Sequence, residues 1–159
     1  MNASIQNTKN GSTHSRTNLG WAAGFLDGEG RIRIVKRNLG IASHAPPYYS
    51  LELHIGQDST RTLEHFQSIM GVPSNLQALR PVPNVVRSKF VLSYRNSNAR
   101  VVLELLEPYL VRLCAHASLG IEYSRRLGFE GACRKRQLPE ALGLREEYYR
   151  QFQELNRAA

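Results

Sequence analysis

Two carboxylates stand among glycines in Asp27-Gly28-Glu29-Gly30, directly after the apolar stretch LGWAAGF. If that stretch is a helix, both acids lie at its C-terminal end. The negative end of the helix dipole disfavours each of them there by roughly 0.3–1 kcal/mol. A divalent cation would reverse this effect, and Mg²⁺ takes one or two carboxylates together with phosphate and water oxygens. The pattern is therefore compatible with a magnesium site, although Asp-Gly is also common in solvated turns, and these four residues alone favour the turn.

Glycine recurs at every fourth residue before the second acid, at Gly20, Gly24 and Gly28, with Ala23 and Asp27 beside the row. This spacing places the glycines on one side of a helix. Because each glycine costs roughly 1 kcal/mol of helix propensity, close packing or a turn should compensate for it. A stripe without side chains allows another helix to approach closely. The spacing leaves open whether that helix belongs to the same chain or to a second copy.

The elements that must position these residues follow from hydrophobic periodicity. Thr17 or Asn18 is expected to cap the first helix, which ends near Asp27. Alternation predicts strands in RIRIVKR, YYSLELHIG, NLQALR and VRSKFVLSYR. Helical spacing predicts helices over TRTLEHFQSIMG, which Asp58 or Ser59 caps, over 97–128 with Ser97 as its cap, and over about 139–156. The order is α-β-β-α-β-β-α-α.

This order predicts an α+β fold with one four-stranded antiparallel sheet, whose apolar face is covered by helices. Residues 18–159 are expected to form one domain with an extra C-terminal helix. Residues 1–17 are expected to be a disordered polar tail, because they are rich in Asn, Ser and Thr and contain no acid.

The charge is unevenly distributed. The chain has a net charge of +8, and residues 1–103 contain 12 basic and 5 acidic side chains. This excess favours a polyanionic partner, nucleic acid first. Much of this positive charge lies on the face of the predicted sheet that the helices do not cover. The alternative is that this is an ordinary solvated face. The basic residues on that face are Arg31, Arg33, Arg37, His54, Arg87, Lys89 and Arg95.

Two cysteines, Cys114 and Cys133, lack the spacing of a zinc site. We expect Cys114 in the core and an intracellular, reducing location, in an organelle or in a prokaryotic or phage cytoplasm. No apolar run approaches the roughly 18 residues of a membrane span. We therefore expect no membrane partner, and also no small-molecule substrate.

The stretch LGWAAGFLDGEG resembles the signature of the LAGLIDADG homing endonucleases, a small-residue helix that ends in such acids and is followed by a strand. The order αββαββα over residues 18–127 is similar to that family's core, and one copy of the motif is present. The resemblance implies an intron-encoded enzyme that hydrolyses both DNA strands. It also implies a homodimer, with double-stranded DNA as partner and a long pseudo-palindromic target.

The resemblance also implies roles for particular residues. Glu29 and the Gly28 carbonyl would bind Mg²⁺ or Mn²⁺, with Ca²⁺ supporting binding without cleavage. Gln57 matches a polar family position, and Arg61 matches a basic one that would offset charge in the reaction. The subunit interface would include Gly20, Ala23, Gly24 and Asp27.

DNA recognition would use the open sheet face. Arg can read guanine, Gln can read adenine, and Glu can accept a hydrogen bond from cytosine N4. A strand of about 8 residues spans roughly 26 Å, or about 8 base pairs. The candidate DNA-binding residues are Arg31, Arg33, Arg37, Ser50, Glu52, His54, Gln77, Arg87, Lys89 and Arg95.

One family position departs from the pattern. The family commonly has a lysine shortly after a Pro-aromatic-Leu step, whereas this chain reads PYLVRLCAHAS. The ungapped position is Leu113, and Arg112, the nearest base, is the candidate catalytic substitute. If Arg112 does not substitute, a binding protein of the same fold, such as an intron maturase or a transcription regulator, becomes the alternative. An unrelated basic nucleic-acid-binding module is the third hypothesis.

Overall fold

The computed structural model describes residues 14–38, 46–81, 83, 89–128 and 139–158. Nine helices and strands lie within these ranges. They are α1 (Arg16–Glu29), β1 (Gly30–Arg37), β2 (Tyr48–Gln57), α2 (Thr60–Met70), β3 (Asn75–Ala78), β4 (Phe90–Arg95), α3 (Asn96–Leu106), α4 (Cys114–Leu127) and α5 (Pro139–Ala158).

Helix α1 begins earlier than the sequence predicts. Ser15 is the N-cap: its backbone is extended, and its hydroxyl accepts a hydrogen bond from the Asn18 N–H at 3.2 Å. The prediction of Thr17 or Asn18 as the cap is therefore wrong, because a cap needs an extended backbone and Thr17 already lies inside the helix. Arg16 and Thr17 belong to α1 rather than to a tail, and residues 1–13 of the predicted tail lie outside the described residues.

The four strands form one antiparallel sheet in the order β1-β2-β4-β3, which confirms the predicted α+β fold. Arg33 of β1 lies opposite Glu52 of β2, which in turn lies opposite Arg95 of β4. On the other face of the sheet, apolar residues such as Leu51, Leu53 and Ile55 are fully buried. The sheet therefore has one face in the core and one face outside it.

The helices cover the apolar face. Helix α1 buries Ala22, Ala23 and Leu26 completely, and α2 buries Leu63 and Phe66. As predicted, Ser59 caps α2, and Gly71 ends it with a left-handed φ of 62°, a conformation that suits glycine.

The predicted continuous helix over 97–128 is wrong. It divides into α3 and α4, which are separated by the 3₁₀ turn Glu107–Tyr109 and by residues 110–113. Proline in that turn removes a backbone donor that a continuing helix would need. Ser97 is not the cap of α3 either, because Arg95 occupies that position without a side-chain hydrogen bond.

Helix α5 packs against α4 and the β1 edge of the sheet. Its Tyr148 and Phe152 are buried, and Glu146 pairs with Lys36 of β1 at 2.7 Å. The buried Arg145 donates to the Tyr123 hydroxyl of α4 at 3.0 Å. No helix in the described part of the chain has the length and apolarity needed to span a membrane.

Cys114 is exposed, so its predicted place in the core is wrong. It is the first residue of α4, and the buried residues of that helix begin two positions later, at His116. Cys133 lies outside the described residues.

Candidate functional site

Glu29 is the last residue of α1, and β1 starts at the next position. The Gly30 N–H still donates to the Leu26 carbonyl, so the chain changes from helix to strand within one residue. A Cβ atom at Gly30 would lie 2.5 Å from the Leu26 carbonyl oxygen, so only glycine fits at this change of direction. Glu29 is exposed, and no described residue donates a hydrogen bond to its carboxylate or pairs with it. The junction thus presents one carboxylate at the corner between helix and sheet.

Asp27 has a different role within the chain. Its carboxylate accepts hydrogen bonds from the backbone N–H groups of Val111 at 2.7 Å, Arg112 at 3.2 Å and Leu113 at 2.9 Å. These N–H groups directly precede α4, where the N-cap Leu113 offers no side-chain acceptor. Asp27 therefore joins the end of α1 to the start of α4.

The Arg112 side chain also binds the end of α1. Its Nε donates to the Asp27 carbonyl at 2.5 Å, and one terminal nitrogen donates to the Gly30 carbonyl at 3.1 Å. Leu113, at the position of the family's lysine, is only 2% exposed. Arg112, the base nearest in sequence to the position of the family's lysine, is thus bound to the α1–β1 junction.

Gln57 and Arg61 lie at the same end of the sheet. Gly30 is opposite Ile55, so Gln57, two residues further along β2, comes to the end at which α1 enters. Arg61 follows in the first turn of α2 and is exposed. The register therefore brings Gln57 to the end of the sheet at which β1 begins, and Arg61 follows it four residues later in the chain.

The donor set at this end suits a hard cation only in part. No three His, Cys, Asp or Glu side chains come together anywhere in the described ranges. One chain offers the Glu29 carboxylate and backbone carbonyls such as that of Gly28. Oxygen donors of this kind fit Mg²⁺, which completes its shell with phosphate and water oxygens.

A cleft of about 440 Å³ adjoins the junction and is lined by basic and polar side chains. Sequence reasoning missed His116 and Asn156, since neither belongs to a motif. Burial lowers the pKa of His116 and the nearby charge of Arg112 lowers it further; together they outweigh a hydrogen bond with Asn156. This shift in pKa favours the neutral form of His116. The polar lining residues are Arg31, Arg33, Arg112, His116 and Asn156.

The candidate DNA-binding residues that the structure describes share the open sheet face, but their exposure differs. His54 is half-buried, Ser50 and Glu52 are buried, and Arg87 lies outside the described residues. The exposed members are Arg31, Arg33, Arg37, Gln77, Lys89 and Arg95.

Glu52 lies at the centre of a cluster, and its side chain is only 1% exposed. Arg37 contacts it at 2.5 Å, Arg95 at 3.5 Å and Arg33 at 3.9 Å. His54 lies 3.0 Å from one carboxylate oxygen, and the Ser50 hydroxyl donates to the other at 2.9 Å. A side chain so buried and so fully bonded does not reach a cytosine edge in this geometry, which disagrees with the predicted base-reading role.

The surroundings of Glu52 hold it ionised. Burial alone would raise its pKa, but hydrogen bonds from His54, Arg37 and Ser50 and the charge of Arg37 outweigh burial. Together they lower the pKa of Glu52 from 4.5 to about 2. The sequence indicated this only through alternation, which placed an acid among bases on one face.

The glycine stripe of α1 faces away from its own chain. Gly20, Gly24 and Gly28 are exposed, and a Cβ at any of them would meet no atom of the described residues within 4 Å. Two predicted members of the subunit interface do not share that surface. Ala23 is 0% exposed because the helix turns it into the core, and both carboxylate oxygens of Asp27 bind residues 111–113.

Large apolar side chains lie near the same stripe. Trp21 is 38% exposed and stacks on Phe25 with ring centroids 5.3 Å apart. Val111, which donates its N–H to Asp27, is 85% exposed. Exposed apolar groups beside a stripe of glycines are typical of a surface that a partner covers.

Solved structures of homing endonucleases have similar folds. I-CvuI bound to the I-CreI target in the presence of Mg, with the DNA not cleaved, is 20% identical with a TM-score of 0.69, covering 89% of this chain and 83% of that chain. I-CvuI with its own target and Ca is 22% identical, with a TM-score of 0.65 and coverages of 87% and 82%. The archaeal intron-encoded I-Vdi141I complexed with DNA is 12% identical, with a TM-score of 0.52 and coverages of 83% and 96%.

No protein-family model matches the sequence, and no curated protein matches it either. At these identities, the likeness to solved structures establishes the fold alone.

Proposed function

We propose that this chain, which has the fold of the LAGLIDADG homing endonucleases, is a homodimeric, metal-dependent endonuclease that cleaves both strands of a long DNA site. One observation carries the proposal. Glu29 ends a helix whose glycine stripe is exposed, and it does so where the basic sheet face begins. A carboxylate, a helix-pairing surface and a cationic face therefore meet at one corner of the chain.

The open sheet face supports the choice of duplex DNA as the ligand. Its exposed cations are spread over β1 and β4 and over Lys89, which directly precedes β4. Arginine side chains on such a surface can contact both phosphates and guanine edges. Strand β2 has 10 residues, which span about 33 Å at ~3.3 Å per residue, or roughly one turn of duplex.

The stripe on α1 supports the choice of a second copy as partner. No part of the chain's described residues comes within 4 Å of a Cβ at Gly20, Gly24 or Gly28. Two such helices can pack closely because nothing projects between their backbones. Each would then bring its own Glu29 to one of two adjacent phosphates, one on each DNA strand.

The residues around Glu29 suit phosphodiester hydrolysis. Glu29 and the Gly28 carbonyl would hold Mg²⁺, which when bound polarises the phosphate and acidifies a water molecule. Gln57 would orient a water molecule by hydrogen bonding. Arg61 and Arg112 add positive charge at the same end of the sheet, where negative charge develops in the reaction.

The test is cleavage of a duplex pool that carries a randomised segment, incubated with Mg²⁺, with sequencing of the ends. We expect the ends to share one long, pseudo-palindromic sequence. Glu29→Gln should reduce end formation by at least about a hundredfold, the usual effect of losing an electrostatic catalytic group. Binding of the selected site in Ca²⁺ should stay within a few-fold.

Glu64→Gln is the matched control, since Glu64 is an exposed acid on α2 and the change in charge is identical. Cleavage by Glu29→Gln at the wild-type rate would refute the metal assignment.

A binding protein of the same fold is the second candidate. The observation that favours it is that Leu113 is buried and that Arg112 is bound to two backbone carbonyls. Sequence-selective binding by the wild type in Mg²⁺, without any strand cleavage, would support this candidate over the endonuclease.

A further inference from the structure

The open sheet face contains a cross-strand row of three charged side chains. Glu52 stands between Arg33 and Arg95, each opposite it on a neighbouring strand. Ser50 and His54 are its neighbours on the same face of β2, and Arg37 reaches it from the far end of β1. One buried carboxylate is thus shared by three arginines that belong to two different strands.

This arrangement fixes side chains that would otherwise be mobile. A free arginine side chain loses conformational entropy when binding immobilises it, and an arginine that a carboxylate already holds loses less. Arg37 is held most firmly, because it donates to both Ser50 at 3.0 Å and Glu52 at 2.5 Å. A preorganised guanidinium group samples fewer orientations relative to a base edge than a free one does.

The contacts leave donors for DNA. Arg95 approaches Glu52 through Nε, and Arg33 through one terminal nitrogen. Within the described chain, the other guanidinium nitrogens of Arg33 and Arg95 have no hydrogen-bond or ion-pair partner. Arginine has five N–H donors, so a group held at one edge can still bind guanine O6 and N7 through another.

Glu52 also limits the cationic strength of the face. It offsets one of the three positive charges that surround it, and it competes with phosphates for the same donors. Burial makes this competition effective, because the carboxylate is 1% exposed and solvent screens it little.

Resting on the proposed DNA-binding function, we infer that Glu52 is a positioning residue for sequence discrimination. It holds Arg33, Arg37 and Arg95 in place for base edges and withholds them from indiscriminate binding to phosphates. Its effect is to lower affinity for random duplex and to raise the ratio of specific to non-specific binding.

The experiment compares the wild type with Glu52→Gln in Ca²⁺, which keeps the DNA intact. Two quantities are measured: affinity for random-sequence duplex over a range of salt, and enrichment of sequences from a randomised duplex pool. We expect the variant to bind random duplex on the order of tenfold more tightly at low salt, with a salt slope steeper by about 1. We expect its specificity ratio to fall at least about tenfold, the size of one lost base contact.

Glu104→Gln is the matched control. Glu104 pairs with Arg125 at 3.1 Å and with Arg100 at 3.9 Å, but it lies on α3, on the helical side of the sheet. The net charge changes equally, so a global charge effect would appear in both variants. If Glu52→Gln behaves like Glu104→Gln, or keeps the wild-type specificity ratio, the inference is overturned.

Ser50→Ala keeps the inference testable even if Glu52→Gln fails to fold. It removes a hydroxyl that accepts from Arg37 and donates to Glu52, and it leaves the charge unchanged. We expect affinity for random duplex to stay within about twofold, while preference is lost at one part of the selected site. Unchanged preference throughout that site would count against the inference.

Failure of this inference is distinguishable from failure of the proposed function. A wild type that neither binds duplex DNA nor selects sequences from the pool removes the premise. A wild type that does both, with variants that select equally well, removes only the role of Glu52.

Discussion

Asp27 and Glu29 are two residues apart and have different environments, because an α-helix turns roughly 200° between them. Asp27 faces the chain and binds three backbone N–H groups, whereas Glu29 is exposed. Burial also distinguishes Glu52 from the arginines around it. Its carboxylate is buried, whereas their side chains are at least 42% exposed. At the residue scale, burial decides which acid organises the structure and which remains available for chemistry.

Glu52 should make folding stability depend on acid. Its pKa is about 2 in the folded chain and 4.5 when unperturbed. The stabilisation is therefore fully present above pH 4.5 and is lost as pH falls through about 2. The shift corresponds to about 3 kcal/mol.

Urea unfolding of the wild type and of Glu52→Gln between pH 6 and pH 2 measures this effect. The difference in unfolding free energy between them should shift against the wild type by most of that amount as pH falls. A difference that does not change with pH would show that Glu52 is not held ionised.

At the element scale, the α1–β1 junction is the critical connection. Gly30 allows helix and strand to meet without a loop, and Asp27 and Arg112 bind the same junction to the start of α4. The hydrogen bonds of Asp27 and Arg112 together fix the orientation of Glu29 at the end of α1. A candidate catalytic carboxylate on a rigid corner is better positioned than one on a loop.

Gly30→Ala should destabilise the fold by about 1–3 kcal/mol, because its Cβ would lie 2.5 Å from the Leu26 carbonyl oxygen, a backbone atom that cannot yield easily. Gly143→Ala is the control, since Gly143 lies exposed in α5 and a Cβ there would have no described atom within 4 Å. That change should be neutral or stabilise by up to about 1 kcal/mol. Thermal denaturation compares them, and equal melting temperatures would contradict the packing argument.

At the scale of the whole molecule, one chain offers one Glu29 and one basic face. Cutting two strands would require two such chains, and the glycine stripe of α1 is the surface through which we propose that they meet. The apolar exposure of Trp21 and Val111 near that stripe supports the same pairing.

Gly24→Leu tests the pairing. The new side chain would hold the two helices apart and should raise the dimer dissociation constant at least about tenfold, as overpacking of a close contact does. The chain's own fold should be unaffected, because no described atom lies within 4 Å of a Cβ at Gly24. Sedimentation velocity gives the oligomeric state and circular dichroism gives the fold.

Gly143→Leu makes the same change on α5, away from the stripe, and should leave the dimer intact. A Gly24→Leu protein that sediments as the wild-type dimer would exclude the stripe as the interface.

The sequence by itself determined the antiparallel sheet, its apolar face and the order of elements, apart from the division of 97–128 into α3 and α4. These depend on local periodicity: alternation in 48–57 and helical spacing in 60–70 are properties of neighbouring residues. It also placed Glu29 at a helix end and the arginines on one face. Helix caps and helix breaks were harder to predict from the sequence. Several adjacent residues could serve as the cap in place of Ser15, and other positions could equally end the helix in place of the turn at 107–109.

Only the tertiary structure decided how the charged residues are used. Asp27 binds residues that are 84–86 positions away, and Arg112 binds the α1–β1 junction across a similar separation. Glu52 is surrounded by arginines from two other strands, so its burial depends on strand register. Local patterns specify which face a side chain occupies, but its partners depend on contacts between segments that are distant in sequence.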